Sequence, residues 1–249
     1  MLKDMEREID HIVKWLREKV KESATKGIVV GLSGGIDSSV VAFLIKKAFP
    51  ENSLGVILPC KSGENDRIDA LALAEAAMIK NIEIELSQTH ELLHSKLEEV
   101  MNDFETDNER LTDANLRARL RMSTLYGVAN NLNYLVAGTD NEAELLTGYF
   151  TKYGDGGVDI LPIANLKKRE VFQMAKYLGV PSSIINKAPS AGLWDGQTDE
   201  SEMGTTYDLI DDYLEGKEIP DKDKEIIELL HKRSEHKRQM PPAPKPIKY

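Results

Sequence analysis

Met5, Ile9, Ile12, Val13, Leu16 and Val20 recur at helical spacing near the start of the chain, with charges between them. That spacing predicts an amphipathic helix over about 4–23. The period then changes. Short runs rich in β-branched residues at 28–32, 53–58, 82–86 and 134–137 read as strands, and helical patterns at 38–48, 65–79, 89–101 and 108–131 separate them. Strands alternating with helices predict right-handed crossovers and an α/β fold. The sheet would be parallel and doubly wound, with helices on both faces. In such a sheet, ligands bind outside the carboxyl ends of the strands.

From about residue 151 the pattern turns polar and glycine-rich. A helix is expected over about 167–178, ending at Gly179 with Pro181 beyond it. The segment 188–204 has little periodicity, and loops of that length are functional lids or disordered. Helical patterns near 203–214 and 221–236 follow, and then a tail rich in proline, which runs extended. The expected organisation is one domain over 1–249. It comprises an α/β core at 24–180, a lid loop at 188–204 and a helical C-terminal extension at 205–249 that carries the proline-rich tail.

Candidate chemistry begins where the first strand meets the second helix. Gly31, Leu32, Ser33, Gly34, Gly35, Ile36, Asp37 and Ser38 join the run Ile28-Val29-Val30 to an apolar helix. Glycines let the backbone approach an anion, and the free N–H groups of a helix start point at it. The loop therefore suits phosphate. A Walker A loop would carry a lysine here, whereas this chain has Asp37. A carboxylate beside phosphates repels them unless a divalent cation intervenes, so Asp37 implies Mg²⁺. The bland alternative is an ordinary strand-to-helix turn with Asp37 favouring the helix dipole.

Composition narrows the classes. The 249 residues carry a net charge of −10, and no extended basic tract suits duplex nucleic acid. No apolar run has membrane-spanning length. A single cysteine, Cys60, excludes an intrachain disulfide framework and fits a reducing cytoplasm. Cys60 reads as a small apolar residue at a strand end, since the glycine-flanked context of a glutamine-hydrolysing cysteine is missing. His11, His90 and His94 show no metal spacing and read as surface residues.

Further polar residues fall at strand ends or just beyond them. Glu144 follows the 134–137 strand and so starts near the same sheet edge as Asp37; two converging carboxylates make an oxygen site for Mg²⁺. Asn115 and Arg119 are one helical turn apart and can grip one ligand group, whereas Arg117 can pair with Asp113 as surface decoration.

The loop SGGIDS resembles the signature of the ATP pyrophosphatases (PP-loop enzymes), which cleave ATP to AMP and pyrophosphate. With NLRARLRM, AGTDNEAELLTGYFTKYGDGGVD, LPIANLKKREV, KAPSAGLWDGQTDE and SEHKRQMP in that order, the chain is similar to the ammonia-dependent NAD synthetases over most of its length. The resemblance implies an adenine nucleotide alpha-hydrolase-like fold. It implies ATP contacts by the 31–38 loop, Thr139, Lys168 and Ser190, and Mg²⁺ on Asp37 and Glu144. Deamido-NAD would meet Asn115, Arg119, Lys152, Asp155, Asp159, His236 and Lys237. For an isolated Gly-Asp-Gly-Gly the alternative is a flexible turn, and for His236-Lys237 a solvated basic helix end.

A carboxylate yields no amide with ammonia until its oxygen becomes a leaving group. The resemblance therefore implies attack of the nicotinate carboxylate on the α-phosphate of ATP, giving an acyl adenylate, and then displacement of AMP by ammonia. Asp155 would bind ammonium and accept its proton. Lys168 would offset phosphate charge, doing from outside the loop what a Walker lysine does within it, and Asp37 would act through the Mg²⁺ it holds. The expected partners are small molecules only, with a cytoplasmic homodimer implied by the resemblance and by the long helix. Two rivals stand beside this reading: another AMP-forming PP-loop ligase (GMP synthetase-like or tRNA-modifying), and a non-enzymatic nucleotide sensor.

Overall fold

Every backbone group of a central strand needs a partner on each side, and here β1 (Gly27–Gly31) finds one in β2 (Ser53–Ile57) and one in β4 (Tyr134–Ala137). The edge strand β3 (Lys80–Glu83) pairs with β2, so the parallel sheet runs β3-β2-β1-β4. This computed structural model describes residues 4–101, 106–190 and 198–246, with the side chains of 106 and 107 excepted. The chain moves outward from β1 to β3 and then returns to the other flank of β1 at β4. Strand order therefore reverses between β1 and β4, and the crevice at their carboxyl ends is the expected ligand position.

Alternation along β1 sorts its side chains to two faces. Ile28 and Val30 join a core with α1 (Met5–Glu22), α2 (Ile36–Ala48) and α7 (Lys168–Leu178), in which Leu16, Leu44, Ile45 and Met174 are fully buried. Val29 points the other way and joins Val56, Val136 and Ala129 beneath α5 (Thr106–Leu132). Fully burying one such aliphatic side chain contributes about 1.5–3 kcal/mol. The two-sided cover is as expected.

A third cluster lies beyond the sheet. Ala143 of α6 (Glu142–Thr147), Met203 of α9 (Asp199–Met203), Tyr207 and Ile210 of α10 (Tyr207–Leu214) and Ile227 of α11 (Asp221–Arg238) pack together. Gly148 ends α6 at φ +67°, and a Cβ there would lie 2.1 Å from Ser234 Cβ, so its lack of a side chain lets α11 seat directly on α6. Three further helices complete the order: α3 (Glu64–Ala76), α4 (Ser87–Val100) and the short α8 (Ser182–Ile185). Among the described residues no helix is long and apolar enough to cross a membrane.

Four expectations need correction. The strand placed at 82–86 begins at Lys80, because β3 is an exposed edge. Its apolar residues drift past the ladder, although Ile84 N–H and Leu86 N–H still donate to Ile57 and Pro59 carbonyls. The single helix at 203–214 is broken at Gly204, whose φ of +75° ends α9 before Thr206 caps α10. Arg117 does pair with Asp113, yet it is buried rather than surface decoration. His90 is fully buried, 3.2 Å from Asp113, and burial lowers its pKa.

Candidate active site

Leu32 N–H still donates to Val56 O, so the phosphate-type loop leaves the sheet only at Ser33. Gly34 then turns at φ +75°, where a Cβ would meet Asp69 Cβ at 2.7 Å and Asp66 O at 2.9 Å. Ser33 Oγ accepts from Gly35 N–H and lies 3.0 Å from Ser38 Oγ, while the Ser38 and Ser39 hydroxyls donate to Gly35 O. No side chain caps α2 at Gly35. An uncapped helix start behind a glycine turn leaves N–H groups for an anion.

Asp37, in the first turn of α2, faces the other half of the site. Its Oδ2 accepts from Lys168 Nζ at 2.7 Å, and its Oδ1 accepts from Asn141 Nδ2 at 2.9 Å. Lys168 Nζ also donates to Glu144 Oε1 at 3.1 Å and sits 4.5 Å from the centre of the Tyr207 ring. Glu144 is fixed in turn. Its Oε2 accepts from Asn141 N–H while Asn141 Oδ1 accepts from Glu144 N–H, a capping box at the start of α6. The Tyr207 hydroxyl donates to Glu144 Oε1 and Asp199 Oδ2.

Lys168 is only 2% exposed, because Asp211 holds the first turn of α7 against α10. The Asp211 carboxylate accepts from the N–H groups of Lys168 and Arg169 and from the Arg169 guanidinium. Burial lowers the Lys168 pKa, but the charges of Asp37 and Glu144 outweigh it, and the ammonium titrates above its ordinary range. Burial acts on Glu144 in the opposite sense to Lys168 and prevails, raising it to about 7.

These groups open onto a cavity of about 1070 Å³. The 31–38 loop (apart from Gly34), Thr139, Glu144 and Ser190 line it from the sheet side, and Asn115, Arg119, Lys152, Asp155, His236 and Lys237 line it elsewhere. Asn115 Oδ1 accepts from the Thr151 hydroxyl at 2.7 Å, and Asp155 Oδ1 accepts from Thr151 N–H at 2.9 Å. Arg119 reaches Lys152 O at 3.4 Å, and Lys152 Nζ donates to His236 O. Lys237 Nζ donates to the Gly148 and Phe150 carbonyls. Lys168 stands behind Asp37 and Glu144, its ammonium turned onto them and not onto the cavity wall.

Asp159 does not line the cavity. Its two oxygens accept from the Tyr126 hydroxyl and from Val136 N–H, tying α5 to β4. Of the 188–204 segment, residues 191–197 fall outside the described set; Ser190 borders the cavity and α9 begins at Asp199.

Sequence reasoning missed Tyr207, Asp211, Asn141 and Asp140. Asn141 and Glu144 carried the signal of a capping box, an Asn followed three residues on by Glu. Asp140 is 4% exposed and lines the cavity, and its Oδ2 has no hydrogen-bond partner among the described residues. Burial raises Asp140 well above the carboxylate range, and the charges of Asp155, Glu144 and Asp37 add to the shift. Desolvation by the surrounding protein raises Asp155 as well, although the residue is exposed to the cavity.

The donor set suits a divalent cation shared with phosphate. Two carboxylates from separate elements already converge on one positive charge, that of Lys168, and two oxygens suffice for Mg²⁺ when phosphate and water complete the shell. No group of three His, Cys, Asp or Glu residues among the described residues could hold a metal alone.

Comparison with known proteins places these features. The NAD synthase family profile matches residues 8–241. The NH(3)-dependent NAD(+) synthetase of Alkaliphilus oremlandii (strain OhILAs) is 62% identical over 248 residues, 98% of this chain and 99% of that protein. Among solved structures, the NMN synthetase from Francisella tularensis matches with a TM-score of 0.92 at 42% identity, covering 98% of this chain and 99% of that one. The NH3-dependent NAD synthetase from Campylobacter jejuni subsp. jejuni, in complex with the nitrate ion, gives 0.78 at 30% identity over 98% and 100%.

Proposed function

The chain belongs to the NAD synthase family, and from that premise we infer that it is an ammonia-dependent ligase converting deamido-NAD to NAD at the expense of ATP. The observation that carries the mechanism is the meeting of Asp37 and Glu144 at one cationic centre beside the uncapped start of α2. A triphosphate seated on the 31–38 loop would place its α-phosphorus over the cavity. The nicotinate carboxylate attacks there, pyrophosphate leaves, and ammonia then displaces AMP from the acyl adenylate.

We assign the residues as follows. The N–H groups and hydroxyls of the loop hold the departing pyrophosphate, with Thr139 and Ser190 on the nucleotide. Asp37 and Glu144 would hold Mg²⁺, which when bound supplies charge neutralisation at the phosphates. Lys168 contributes its fixed charge to the same centre. Asn115, Arg119, Lys152, His236 and Lys237 orient the dinucleotide, and Asp155 receives ammonium. Asp159 acts from behind, by holding β4 to α5. The residues 1–249 are read as one synthetase domain, of which the family profile spans 8–241.

Free ammonia as nitrogen donor fits Cys60, which is fully buried, with burial pushing its thiol up rather than activating it. A homodimer is the assembly we favour. Leu92, Val100, Ile68 and Met78 are exposed apolar residues on or beside α3 and α4, next to the edge strand β3. A second copy would cover them. The lone cysteine suits a cytoplasmic setting.

A second reading concerns the substrate's length. The Francisella tularensis structure of 0.92 TM-score is titled an NMN synthetase, so the mononucleotide analogue of deamido-NAD competes as substrate. The test is direct: incubate with ATP, Mg²⁺ and ammonium chloride plus deamido-NAD, deamido-NMN or xanthylate, and measure AMP and amide product. Amide from deamido-NAD with stoichiometric AMP is expected. A higher kcat/KM on deamido-NMN would transfer the assignment to the mononucleotide, and AMP with xanthylate alone would end it.

A further inference from the structure

We propose that Asp140 is the second carboxylate of an ammonium-binding pocket, lining the same cavity as Asp155. The proposal rests on the ammonia-dependent amidation above and adds a ligand group to it. Asp140 leaves the end of β4 beside Thr139, and only 4% of it is exposed. It lines the cavity, yet its Oδ2 is buried with no hydrogen-bond partner among the described residues. A buried carboxylate oxygen without a donor is unfavourable. It is retained where a ligand brings the donor.

The surroundings select the ligand's charge. Asp155, Glu144 and Asp37 all act on Asp140 as like charges, and Lys237 is the principal positive group near it. Lys237 already donates to the carbonyls of Gly148 and Phe150, at 2.7 and 2.6 Å. Lys168 is likewise spent on Asp37 and Glu144. A small cation rich in N–H donors meets both needs of Asp140, charge and hydrogen bond. Ammonium is such a cation.

The chemistry calls for two proton acceptors. Ammonium gives up one proton before its lone pair can attack the acyl carbon of the adenylate. The C–N bond forms, the C–O bond to AMP breaks, and AMP leaves with the electron pair. The new nitrogen then gives up a second proton as the neutral amide forms. Asp155 and Asp140 provide one acceptor for each.

The test compares wild type with Asp140→Asn and Asp140→Glu, varying ammonium chloride at saturating ATP and deamido-NAD, and then each of the other substrates in turn. Asp140→Asn should raise the KM for ammonium by about tenfold or more, with the other two KM values within about twofold. Asp140→Glu, which keeps the charge, should fall between. Thermal melts without substrates form a second arm. Ammonium chloride should raise the wild-type midpoint above that in sodium or potassium chloride at equal ionic strength, and the increment should vanish in Asp140→Asn. An unchanged ammonium KM in the Asn variant would overturn the proposal, showing Asp140 to be a neutral acid. Equal rises in all three KM values, or an ammonium increment in the melts that survives in the Asn variant, would overturn it too. If wild type makes no amide at all, the parent reading fails instead, and the melts still decide the pocket. Should the Asn variant not fold, the Glu variant with wild-type ammonium KM would count against the pocket.

Discussion

Lys168 Nζ lies 2.7 Å from Asp37 Oδ2, a contact that joins residues 131 positions apart and places a buried ammonium between that acid and Glu144. The lysine thus keeps two acids from repelling each other. Lys168→Met should destabilise the chelator-treated protein by about 3–5 kcal/mol, with Mg²⁺ restoring part of the loss. Turnover should drop by about 10²–10³. Manganese titration followed by electron paramagnetic resonance checks the cause: the variant binds Mn²⁺ without nucleotide, and wild type does so only with ATP. Equal binding by both would refute the claim that Lys168 balances these two acids.

Asp211 positions that lysine without approaching the cavity. It is fully buried and caps α7 through the N–H groups of Lys168 and Arg169. Asp211→Ala should cost about 1–3 kcal/mol in urea denaturation. It should lower kcat more than it raises the KM for ATP, because the helix start that aims Lys168 loosens. A stability loss with unchanged kcat would confine Asp211 to the scaffold.

Glu144 carries a pH signature. Burial raises it from an ordinary 4.5 to about 7. Between those values the folded chain holds a proton that the unfolded chain has released, so stability falls as pH rises through the window. Calorimetric melts from pH 4.5 to 8 should show that decline, and Glu144→Gln should flatten it. An identical slope in the variant would mean that other acids carry the effect.

Gly34 is strained for any other residue. Its φ of +75° and the approach of Asp69 Cβ and Asp66 O leave no room for a methyl group. Gly34→Ala should cost about 1–2 kcal/mol for the backbone alone. The push on α3 should also raise the KM for ATP, since Lys187, which borders the cavity, is bound to Asp66 and Asp69 at 2.8 and 2.9 Å. Steady-state kinetics with melting curves will show whether both move together.

What was legible from sequence is what depends on near neighbours. β4 falls where its apolar run lies, and α2 begins within two residues of its pattern, because strand and helix periods are local. Edge strand β3 was misplaced because an exposed strand has little alternation to read. Arg117 and His90 looked like surface residues because charge and polarity alone suggest solvent, and only the fold buries them. Tyr207 and Asp211 belong to a helix whose polar residues resemble a solvated face, yet they turn inward onto Glu144 and α7. The convergence of Asp37 with Glu144 was foreseen from their shared sheet edge. The lysine between them was not, since nothing local links residues 37 and 168.

The helix that seats on Gly148 also has a consequence for the order of synthesis. Ribosomes make the triphosphate loop early and α11, which brings His236 and Lys237 to the cavity wall, long afterwards. The chamber is therefore closed by the last helix to be translated. Premature termination upstream of α11 would release a fragment lacking both that wall and the Ile227 side chain that α11 contributes to the third cluster.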